Sequence, residues 1–217
     1  MEHEVIAVIG GTGKEGFGLG LRWATAGLPV ILGSRSRQRA EEAALRARAL
    51  RPEARISGSL NREAAEAATV VVLTVPFAAQ EAILSDIREA VRGKLVVDTT
   101  VPLRRLRPPE LEVPLAGSAA QQAQHLLPEA RVVAAFHTVS AHRLQQLEAP
   151  LEEDTLVCGD DPEAKETVIR LSRRIGLRGL DAGGLHQAGT LERLAALVIQ
   201  LNQRYGRKDI GLRFVGL

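Results

Sequence analysis

The feature that most constrains the fold of this chain is a glycine-rich turn near its amino terminus. The apolar run Val5–Ile9 leads into Gly11, Gly13 and Gly16, which have the spacing G-x-G-x-x-G, and an apolar-periodic stretch follows over residues 16–26. Between a strand and a helix, such glycines permit a tight turn, close approach of the backbone to a pyrophosphate, and close helix packing. The sequence therefore predicts a dinucleotide site at a helix amino terminus. A turn that binds nothing is the alternative.

The residues after the second apolar run indicate which dinucleotide binds. An NAD site has an acidic side chain about 20 residues after the glycines, where it holds the ribose 2′-hydroxyl, but residues 16–40 contain no acid. Ser34 and Arg35 stand there instead, followed by Arg37 and Arg39. Guanidinium groups suit a forked grip on a phosphate, so the sequence predicts NADP, with NADPH preferred over NADH. Arg37 and Arg39 equally suit a solvated helix start.

The composition is that of an ordinary globular protein. Of the 217 residues, 45% are apolar and 25% are charged, and the net charge is +2. Aromatic residues make up only 3%, which leaves few stacking platforms for single-stranded nucleic acid. No run approaches the roughly 18 apolar residues of a membrane span, and the single cysteine, Cys158, fits a reducing compartment. We therefore expect a soluble, cytoplasmic protein that binds neither nucleic acid nor membranes.

Strand-like and helix-like patterns alternate along the chain, which is typical of βαβ units and a parallel sheet. Strands are predicted over residues 4–9, 30–33, 55–58, 70–74, 95–98, 132–136, 155–158 and 178–181, and helices over 16–26, 37–50, 61–67, 79–91, 118–127, 162–175 and 187–205. The prolines of residues 104–114 predict a loop, and residues 211–215 could add a last strand. The predicted fold is α/β, a doubly wound Rossmann-type sheet with a small C-terminal helical and strand extension. Residues 1–150 would form the NADP-binding domain and residues 151–217 the small segment packed on it.

Ligands of an open α/β sheet bind outside the carboxyl ends of the strands, and this rule selects further loops as site candidates. They are Thr74-Val75-Pro76-Phe77, Asp98-Thr99-Thr100-Val101-Pro102 and Phe136-His137-Thr138-Val139-Ser140-Ala141. His137 is the titratable group at the end of its predicted strand, which makes it a candidate for contact with a substrate. A histidine satisfied by local hydrogen bonds fits equally well. His137 and His142 lack carboxylates or thiolates at ligand spacing, so no metal site is predicted.

The chain lacks the side chains by which hydroxyl-oxidising dehydrogenases move a proton. Those enzymes need a general acid or base, often supplied by a long helical C-terminal domain. Only 36 residues follow Asp181, and no lysine occurs between Lys165 and Lys208. We therefore predict a reaction that needs no dedicated proton donor, and the sequence assigns no catalytic residue.

Seven short motifs are spread over nearly the whole chain. They are Gly10-Gly11-Thr12-Gly13, Gly33-Ser34-Arg35, Leu73-Thr74-Val75-Pro76, Ser118-Ala119-Ala120, Ala135-Phe136-His137-Thr138, Val157-Cys158-Gly159-Asp160-Asp161 and Leu180-Asp181-Ala182-Gly183. Together they resemble the NADPH-dependent reductases of coenzyme F-420, the deazaflavin:NADP oxidoreductases. The resemblance implies a Rossmann domain with a small C-terminal segment, a homodimer, and two cofactor rings held face to face. Hydride would pass directly from nicotinamide C4 to deazaflavin C5, mainly through proximity and orientation.

The same resemblance implies roles for individual residues. NADP would be held by Thr12, Gly13, Lys14, Glu15, Ser34, Arg35 and Arg39. The nicotinamide would lie near Thr74, Val75 and Ala141, with Pro76 in the same loop, and the deazaflavin would be bordered by His137 and Val139. Residues 151–217 would contribute to the substrate site and to the dimer contact.

Two other classes of function remain open at this point. The fold also resembles the cytosolic NADPH-binding part of membrane ferric reductases, so the acceptor could be a flavin or a ferric chelate. A non-catalytic NADP-sensing protein would bind NADPH tightly without oxidising it. The three hypotheses share the NADP site and differ only in the second partner.

Overall fold

The computed structural model describes residues 4–217, so the first three residues of the predicted NADP-binding domain lie outside the described part. The strands are β1 Ile6–Ile9, β2 Val30–Ser34, β3 Ile56–Leu60, β4 Val70–Leu73, β5 Leu95–Asp98, β6 Leu103–Leu106, β7 Pro109–Leu111, β8 Arg131–Ala134, β9 Asp154–Gly159 and β10 Arg178–Asp181. The helices are α1 Lys14–Thr25, α2 Arg37–Leu50, α3 Asn61–Ala67, α4 Phe77–Ile87, α5 Ala119–Leu126, α6 Ala141–Leu144, α7 Pro162–Arg174 and α8 Ala188–Arg204, with short 3-10 helices at Glu89–Val91 and Leu185–Gln187.

Eight of the strands form one sheet in the order β10-β9-β8-β5-β4-β1-β2-β3. From β3 to β8 every neighbouring pair is parallel, with Ile6 of β1 opposite Val30 of β2 on one side and Val70 of β4 on the other. Strand β9 runs antiparallel to β8, and β10 is parallel to β9. The predicted doubly wound Rossmann-type sheet is confirmed. Strands β2 and β3 follow β1 on one side of the sheet, whereas β4 and the later strands lie on the other side of β1. Ligands of such folds bind at this change of side between β1 and β4.

Helices cover both faces of the sheet, which explains why the central strands are apolar without alternation. Ile6 and Val8 of β1 belong to one buried cluster together with Trp23 of α1, whereas Ala7 and Ile9 belong to the cluster on the opposite face. The indole N–H of Trp23 donates to the carbonyl of Leu171 in α7 over 3.0 Å. This contact joins the first helix to the C-terminal part of the chain.

Two expectations from the sequence are wrong. Residues 104–114 contain the antiparallel hairpin β6–β7 rather than only a loop, since Pro108 lies in its turn and Pro109 starts an edge strand, positions where a missing N–H is tolerated. Residues 211–215 form no strand: the Asp154 amide donates to the Leu212 carbonyl over 2.7 Å, but the Asp154 carboxylate, rather than a backbone carbonyl, accepts from the amide of Phe214. The Asp154 side chain therefore replaces a backbone acceptor, and only one backbone hydrogen bond forms between the two segments.

Within residues 4–217, no helix combines the length and apolar character needed to cross a membrane.

Candidate functional site

The glycine turn leaves the amino end of α1 open to a ligand. Gly13 precedes the helix and has no side chain to cap its first N–H groups. A Cβ at Gly11 would stand 2.8 Å from the carbonyl oxygen of Val8, and one at Gly16 would stand 2.3 Å from Oγ1 of Thr74, so neither position accepts a side chain without displacement. Free amides at the positive end of a helix, approached closely by backbone alone, are the features that bind a pyrophosphate.

The three residues predicted to hold the 2′-phosphate lie at the end of β2, the strand beside the glycine turn, and just beyond it. The amide of Gly11 donates to the carbonyl of Gly33 over 3.0 Å, which joins the turn to the residue before Ser34. Ser34 is buried, while Arg35 and Arg39 are exposed and have no ion-pair partner within residues 4–217. Arg37, in contrast, is paired with Glu63 of α3. The structure therefore separates Arg37 from Arg35 and Arg39, which the sequence could not do.

A cavity of about 820 Å³ continues from the glycine turn across the carboxyl ends of β1, β4, β5 and β8. It brings together nine of the predicted site residues, namely Gly13, Lys14, Glu15, Thr74, Val75, Pro76, His137, Val139 and Ala141. The other six, Gly11, Thr12, Gly16, Ser34, Arg35 and Arg39, are not on its wall; they belong to the glycine turn and the end of β2. The predicted site is thus a cavity with an exposed arm, as an elongated dinucleotide requires.

Buried polar atoms of His137 and Thr100 lie where the ends of β5 and β8 line the cavity. Neither ring nitrogen of His137 makes a hydrogen bond of good geometry although both are buried, and the buried hydroxyl of Thr100 makes none either, although it lies near the Asp98 carboxyl group. Burial lowers the pKa of His137 to about 4, although backbone groups of Thr100 and Ala135 lie close enough to oppose part of the shift. The imidazole is therefore neutral at pH 7, and can donate one hydrogen bond and accept another. Buried unpaired groups of this kind call for a polar ligand.

The loop that carries His137 is held in a strained but fixed conformation. Phe136 has a φ of +67°, which is rare for a residue with a side chain. Its ring is buried and packs edge-on against the Trp23 ring, with 5.6 Å between the two ring centroids. Its backbone amide donates to the Thr155 hydroxyl over 2.9 Å. Because packing and a hydrogen bond both hold Phe136, the direction in which the next residue leaves the sheet is set before any ligand arrives.

A guanidinium of α1 fixes the far end of the same loop. Arg22 donates to the carbonyls of Arg143, Leu144, Gln146 and Ala149, at distances of 2.8 to 3.2 Å. These carbonyls belong to α6 and the turn after it, which need donors at the end of a short helix. The wall around Val139 and Ala141 is therefore anchored to the helix that carries the pyrophosphate cradle.

Part of the cavity wall is formed by α8 and the chain after it. The sequence assigned residues 151–217 to the substrate site but singled out none of the residues that line it. Ala195, Val198, Ile199 and Asn202 line the cavity from α8, followed by Lys208 and Ile210. Their spacing within the helix is that of an ordinary core-facing stripe, so the pattern alone cannot distinguish a ligand wall from a packed core.

A buried chain of hydrogen bonds ties α8 to the cavity floor. The Glu192 carboxylate accepts from the amide of Ala119, at the start of α5, over 2.7 Å. The side-chain amide of Gln80 donates to the carbonyl of that same residue over 3.2 Å and to the carboxylate of Asp98 over 2.7 Å. Asp98 also accepts from the amide of Thr100 over 2.7 Å. The position of α8 is thereby coupled to the loop after β5.

Three carboxyl groups near the cavity hold their protons more tightly than usual. Burial raises the pKa of Asp98 to about 6, and hydrogen bonds from Thr100 and Gln80 oppose the shift. Burial, with a smaller contribution from the Asp98 charge, raises the pKa of Glu15 and of Glu192 to about 8. Hydrogen bonds to Thr99 at Glu15 and to backbone amides at Glu192 work in the opposite direction. At pH 7 the last two groups are mostly protonated.

Replacing Glu192 by glutamine will stabilise the protein at high pH and have little effect at low pH. The unfolded chain releases this proton near pH 4.5 whereas the folded chain keeps it to about pH 8, so wild-type stability falls as the pH rises between these values. Glutamine retains an acceptor for the amide of Ala119 without this dependence. At pH 9 we expect a gain of about 2 to 4 kcal/mol, measured by urea unfolding at pH 5 and pH 9. Glu53→Gln, at an exposed position, serves as control. A difference in unfolding free energy between Glu192→Gln and the wild type that did not increase with pH would contradict the raised pKa of Glu192.

Among residues 4–217 there is no cluster of three or more histidine, cysteine, aspartate or glutamate side chains able to hold a metal ion. The one cysteine, Cys158, is buried, and burial raises the pKa of its thiol to about 11.

Comparison with known proteins places this site in a family. A family model described as NADP oxidoreductase, coenzyme F420-dependent, matches residues 5–102. The F420-dependent NADP reductase of Methanocaldococcus jannaschii is 40% identical, over 98% of both chains. The crystal structure of a putative F420-dependent NADP reductase from Arthrobacter is 25% identical and superposes with a TM-score of 0.82, over 98% of this chain and 99% of that one. The similarity thus includes α8 and the C-terminal residues.

A more distant similarity reaches a second kind of reductase. The metalloreductase STEAP3 of Rattus norvegicus is 29% identical over 84% of this chain, but the match spans only 34% of that longer protein.

The sheet order, the open glycine turn and the cavity at the switch point define the class of this protein, a Rossmann-type dinucleotide-binding protein. Within that class, the chain belongs to the family of coenzyme F420-dependent NADP oxidoreductases, since a 40% identical member matches it from end to end. The family resemblance predicted from the seven motifs is confirmed.

Proposed function

We propose that this protein is an oxidoreductase that transfers a hydride between NADP(H) and the deazaflavin coenzyme F-420. The observation that carries the proposal is the 820 Å³ cavity, which begins at the glycine turn and ends at the unpaired polar atoms of His137 and Thr100. A dinucleotide alone accounts for the glycine turn. A second, polar ring would account for the part of the cavity lined by His137 and Thr100. The relatives named for F420-dependent NADP reduction, which match this chain over 98% of its length, indicate that this ring is a deazaflavin.

The described residues fit NADP along the whole length of the dinucleotide. The uncapped end of α1 would bind the pyrophosphate, with Gly11, Gly13 and Gly16 keeping side chains out of its way and Thr12 in the same turn. Ser34, Arg35 and Arg39 would hold the 2′-phosphate, and Lys14 and Glu15 would line the path inward. Thr74, Val75, Pro76 and Ala141 would border the nicotinamide, since all four line the cavity that continues from the glycine turn.

The second ring would lie between the residues that border the nicotinamide and helix α8. His137 offers one donor and one acceptor in its neutral form, and Val139 supplies an apolar face beside it. Ala195, Val198 and Ile199 line the cavity from α8 and would exclude water from it. When both cofactors are bound, they supply a hydride donor and a hydride acceptor. The chain holds them at a fixed distance and orientation, which is sufficient for a large rate enhancement.

Residues 1–150 would accordingly form the NADP-binding domain, and residues 151–217 would complete the substrate site and contribute to a homodimer. Support for the dimer comes from large apolar side chains left exposed on the hairpin, on the residues after it, on α8 and directly after α8, namely Leu106, Val113, Leu115, Leu197 and Tyr205. The side-chain amide of Gln203 donates to the Leu106 carbonyl over 2.7 Å, which joins the end of α8 to the hairpin. Light scattering should report twice the chain mass of 23.3 kDa, and a monomer at micromolar concentration would contradict the proposal.

A cytoplasmic location is consistent with a single buried thiol.

The direct test is NADPH oxidation by the purified protein with three acceptors in parallel. We expect rapid turnover with the deazaflavin and slow or no turnover with flavin mononucleotide or ferric citrate. Turnover with flavin or ferric citrate but not with the deazaflavin would favour a reductase of the metalloreductase kind, to which STEAP3 is similar. Tight NADPH binding without oxidation by any acceptor would favour an NADP sensor.

A further inference from the structure

The chain after α8 returns to the cavity and forms part of its wall. We call residues 205–217, which follow α8, the terminal segment. Lys208 and Ile210 of the terminal segment line the cavity. The backbone amide of Ile210 donates to the side-chain oxygen of Asn202 in α8 over 3.2 Å, and Asn202 lines the cavity as well. The beginning of the terminal segment is therefore attached to the helix from which it emerges.

The later part of the terminal segment is anchored to strands β9 and β10. The Asp154 amide donates to the Leu212 carbonyl over 2.7 Å, and the Asp154 carboxylate accepts from the amide of Phe214 over 2.6 Å. Arg178 donates to both oxygens of this carboxylate, over 2.8 and 2.7 Å, and also to the Phe214 carbonyl. None of these four residues lines the cavity. The anchor thus leaves the position of Lys208, four residues before Leu212, to other contacts.

One hydrogen bond joins the terminal segment to the loop between β8 and α6. The Ser140 hydroxyl donates to the Lys208 carbonyl over 2.8 Å. Ser140 is buried and belongs to the loop that carries His137 and Val139. Among residues 4–217, no other hydrogen bond connects this loop with the terminal segment. Since Ser140 and Lys208 both line the cavity, their hydrogen bond joins two parts of its wall.

The same hydroxyl also caps helix α6. It accepts from the backbone amide of Arg143 over 3.3 Å, as the side chain of an N-cap residue does. A hydroxyl has one donor and two acceptor lone pairs, so both bonds can form at once. The side-chain amide of Gln145, directly after α6, donates to the carbonyl of Lys14 in α1 over 3.1 Å. Through Ser140 and α6, the terminal segment is thereby linked to the first turn of α1.

We propose that Ser140 is a positioning residue for the second ligand of the cavity, because its hydrogen bond to the Lys208 carbonyl holds the terminal segment in the wall. The proposal rests on the proposed function, in which this second ligand is the deazaflavin. Without the bond, the wall would open where Lys208 and Ile210 now complete it. The glycine turn and the end of β2 include no residue of the terminal segment, so NADPH binding should depend little on Ser140.

Three substitutions at Ser140 separate its bond to Lys208 from its capping of α6. Ser140→Ala loses both, and Ser140→Thr keeps the hydroxyl for both. Ser140→Gly also loses the bond to Lys208, but glycine at an N-cap is nearly as favourable as serine. If positioning depends on the bond, Ser140→Gly will behave like Ser140→Ala; if only the cap matters, it will behave like the wild type. Asp161→Ala, which removes the N-cap of α7 away from the cavity, is the control for a general loss of stability.

Hydrogen exchange followed by mass spectrometry measures how firmly the terminal segment is held, without any ligand. In Ser140→Ala and Ser140→Gly, the amides of residues 206–212 should exchange about 2- to 12-fold faster than in the wild type, the factor that corresponds to one ordinary hydrogen bond. Ser140→Thr and Asp161→Ala should exchange there as the wild type does. Wild-type exchange in Ser140→Gly would overturn the proposal, whatever the ligand is.

Fluorescence titration with the oxidised deazaflavin, and separately with NADPH, measures the consequence for binding. In Ser140→Ala and Ser140→Gly the dissociation constant of the deazaflavin should rise by the same factor of about 2 to 12, and that of NADPH by less than about twofold. Ser140→Thr should restore both values. Faster exchange with unchanged deazaflavin affinity, or equal losses for both ligands, would contradict the positioning role.

Two further outcomes are distinguishable from these. Weaker deazaflavin binding without faster exchange would mean that Ser140 contacts the ligand directly, and this too would overturn the proposal. If the wild type binds no deazaflavin, the proposed function fails, and hydrogen exchange alone then decides whether Ser140 holds the terminal segment on the cavity.

Discussion

Replacing Arg35 by alanine will raise the dissociation constant of NADPH by about 10- to 100-fold and leave that of NADH nearly unchanged. Hydrogen bonds to a charged partner contribute about 1.5 to 3 kcal/mol, and a guanidinium can hold a 2′-phosphate through two of them. Arg35 is exposed at the end of β2 and has no ion-pair partner within residues 4–217, so its guanidinium is available to a ligand. Fluorescence titration of NADPH and NADH against the variant measures the effect.

Arg37→Ala is the matched control for this prediction. Arg37 is also an exposed arginine, only two residues further along the chain, but it is paired with Glu63. We expect its removal to weaken NADPH binding less than threefold, an effect of under about 0.7 kcal/mol. Equal losses for NADPH and NADH in Arg35→Ala, or a greater loss in Arg37→Ala, would refute the assignment of the 2′-phosphate site.

The second large effect is expected at Gly16, where alanine should weaken binding of NADPH and NADH alike by at least about 100-fold. A Cβ there would stand 2.3 Å from Oγ1 of Thr74 and 3.1 Å from the carbonyl oxygen of Gly10. To make room, α1 must move away from β1 and β4, or Thr74 must leave its hydrogen bond to the Ile9 carbonyl. Either shift displaces the pyrophosphate cradle relative to the nicotinamide wall, and small displacements of a positioned ligand have large effects.

Gly20→Ala on the same helix provides the comparison. Its added Cβ would meet the flexible end of the Leu32 side chain at 2.8 Å, and alanine favours the helix by about 0.5 to 1 kcal/mol. We therefore expect near-normal binding and stability for Gly20→Ala. Titrations of both variants with NADPH and NADH compare their dissociation constants, and melting curves verify that each variant is folded. Normal NADPH affinity in Gly16→Ala would contradict the role given to the glycine turn.

Local patterns were sufficient to predict most of the fold and the dinucleotide end of the site. The strand, glycine turn and helix over residues 4–26 are contiguous in sequence, so their geometry is fixed by neighbours along the chain. The central β4, Val70–Leu73, is an apolar run that only a sheet covered on both faces explains. The loops at the carboxyl ends of the strands followed from topology alone.

The part of the site formed by α8 depends on contacts between residues distant in sequence, so the sequence could assign the C-terminal segment to the site but not its individual residues. Ile199 in α8 lines the cavity, yet its spacing matches any buried helix face. The hairpin over residues 103–111 was hidden because prolines are rare in central strands but acceptable at an edge. The proton affinity of Glu15 comes from burial and from Asp98, 83 positions away along the chain, so no local motif records it.

The most direct measurement of the central claim follows a label from donor to acceptor. NADPH carrying deuterium at nicotinamide C4, on the face that the enzyme uses, is mixed with the protein and the purified deazaflavin in ordinary water, and the reduced deazaflavin is analysed by mass spectrometry. Direct transfer between rings held in one cavity predicts deuterium at C5 of the reduced deazaflavin, with no loss to solvent. Absence of turnover, or reduced deazaflavin without the label from either face, would contradict the account.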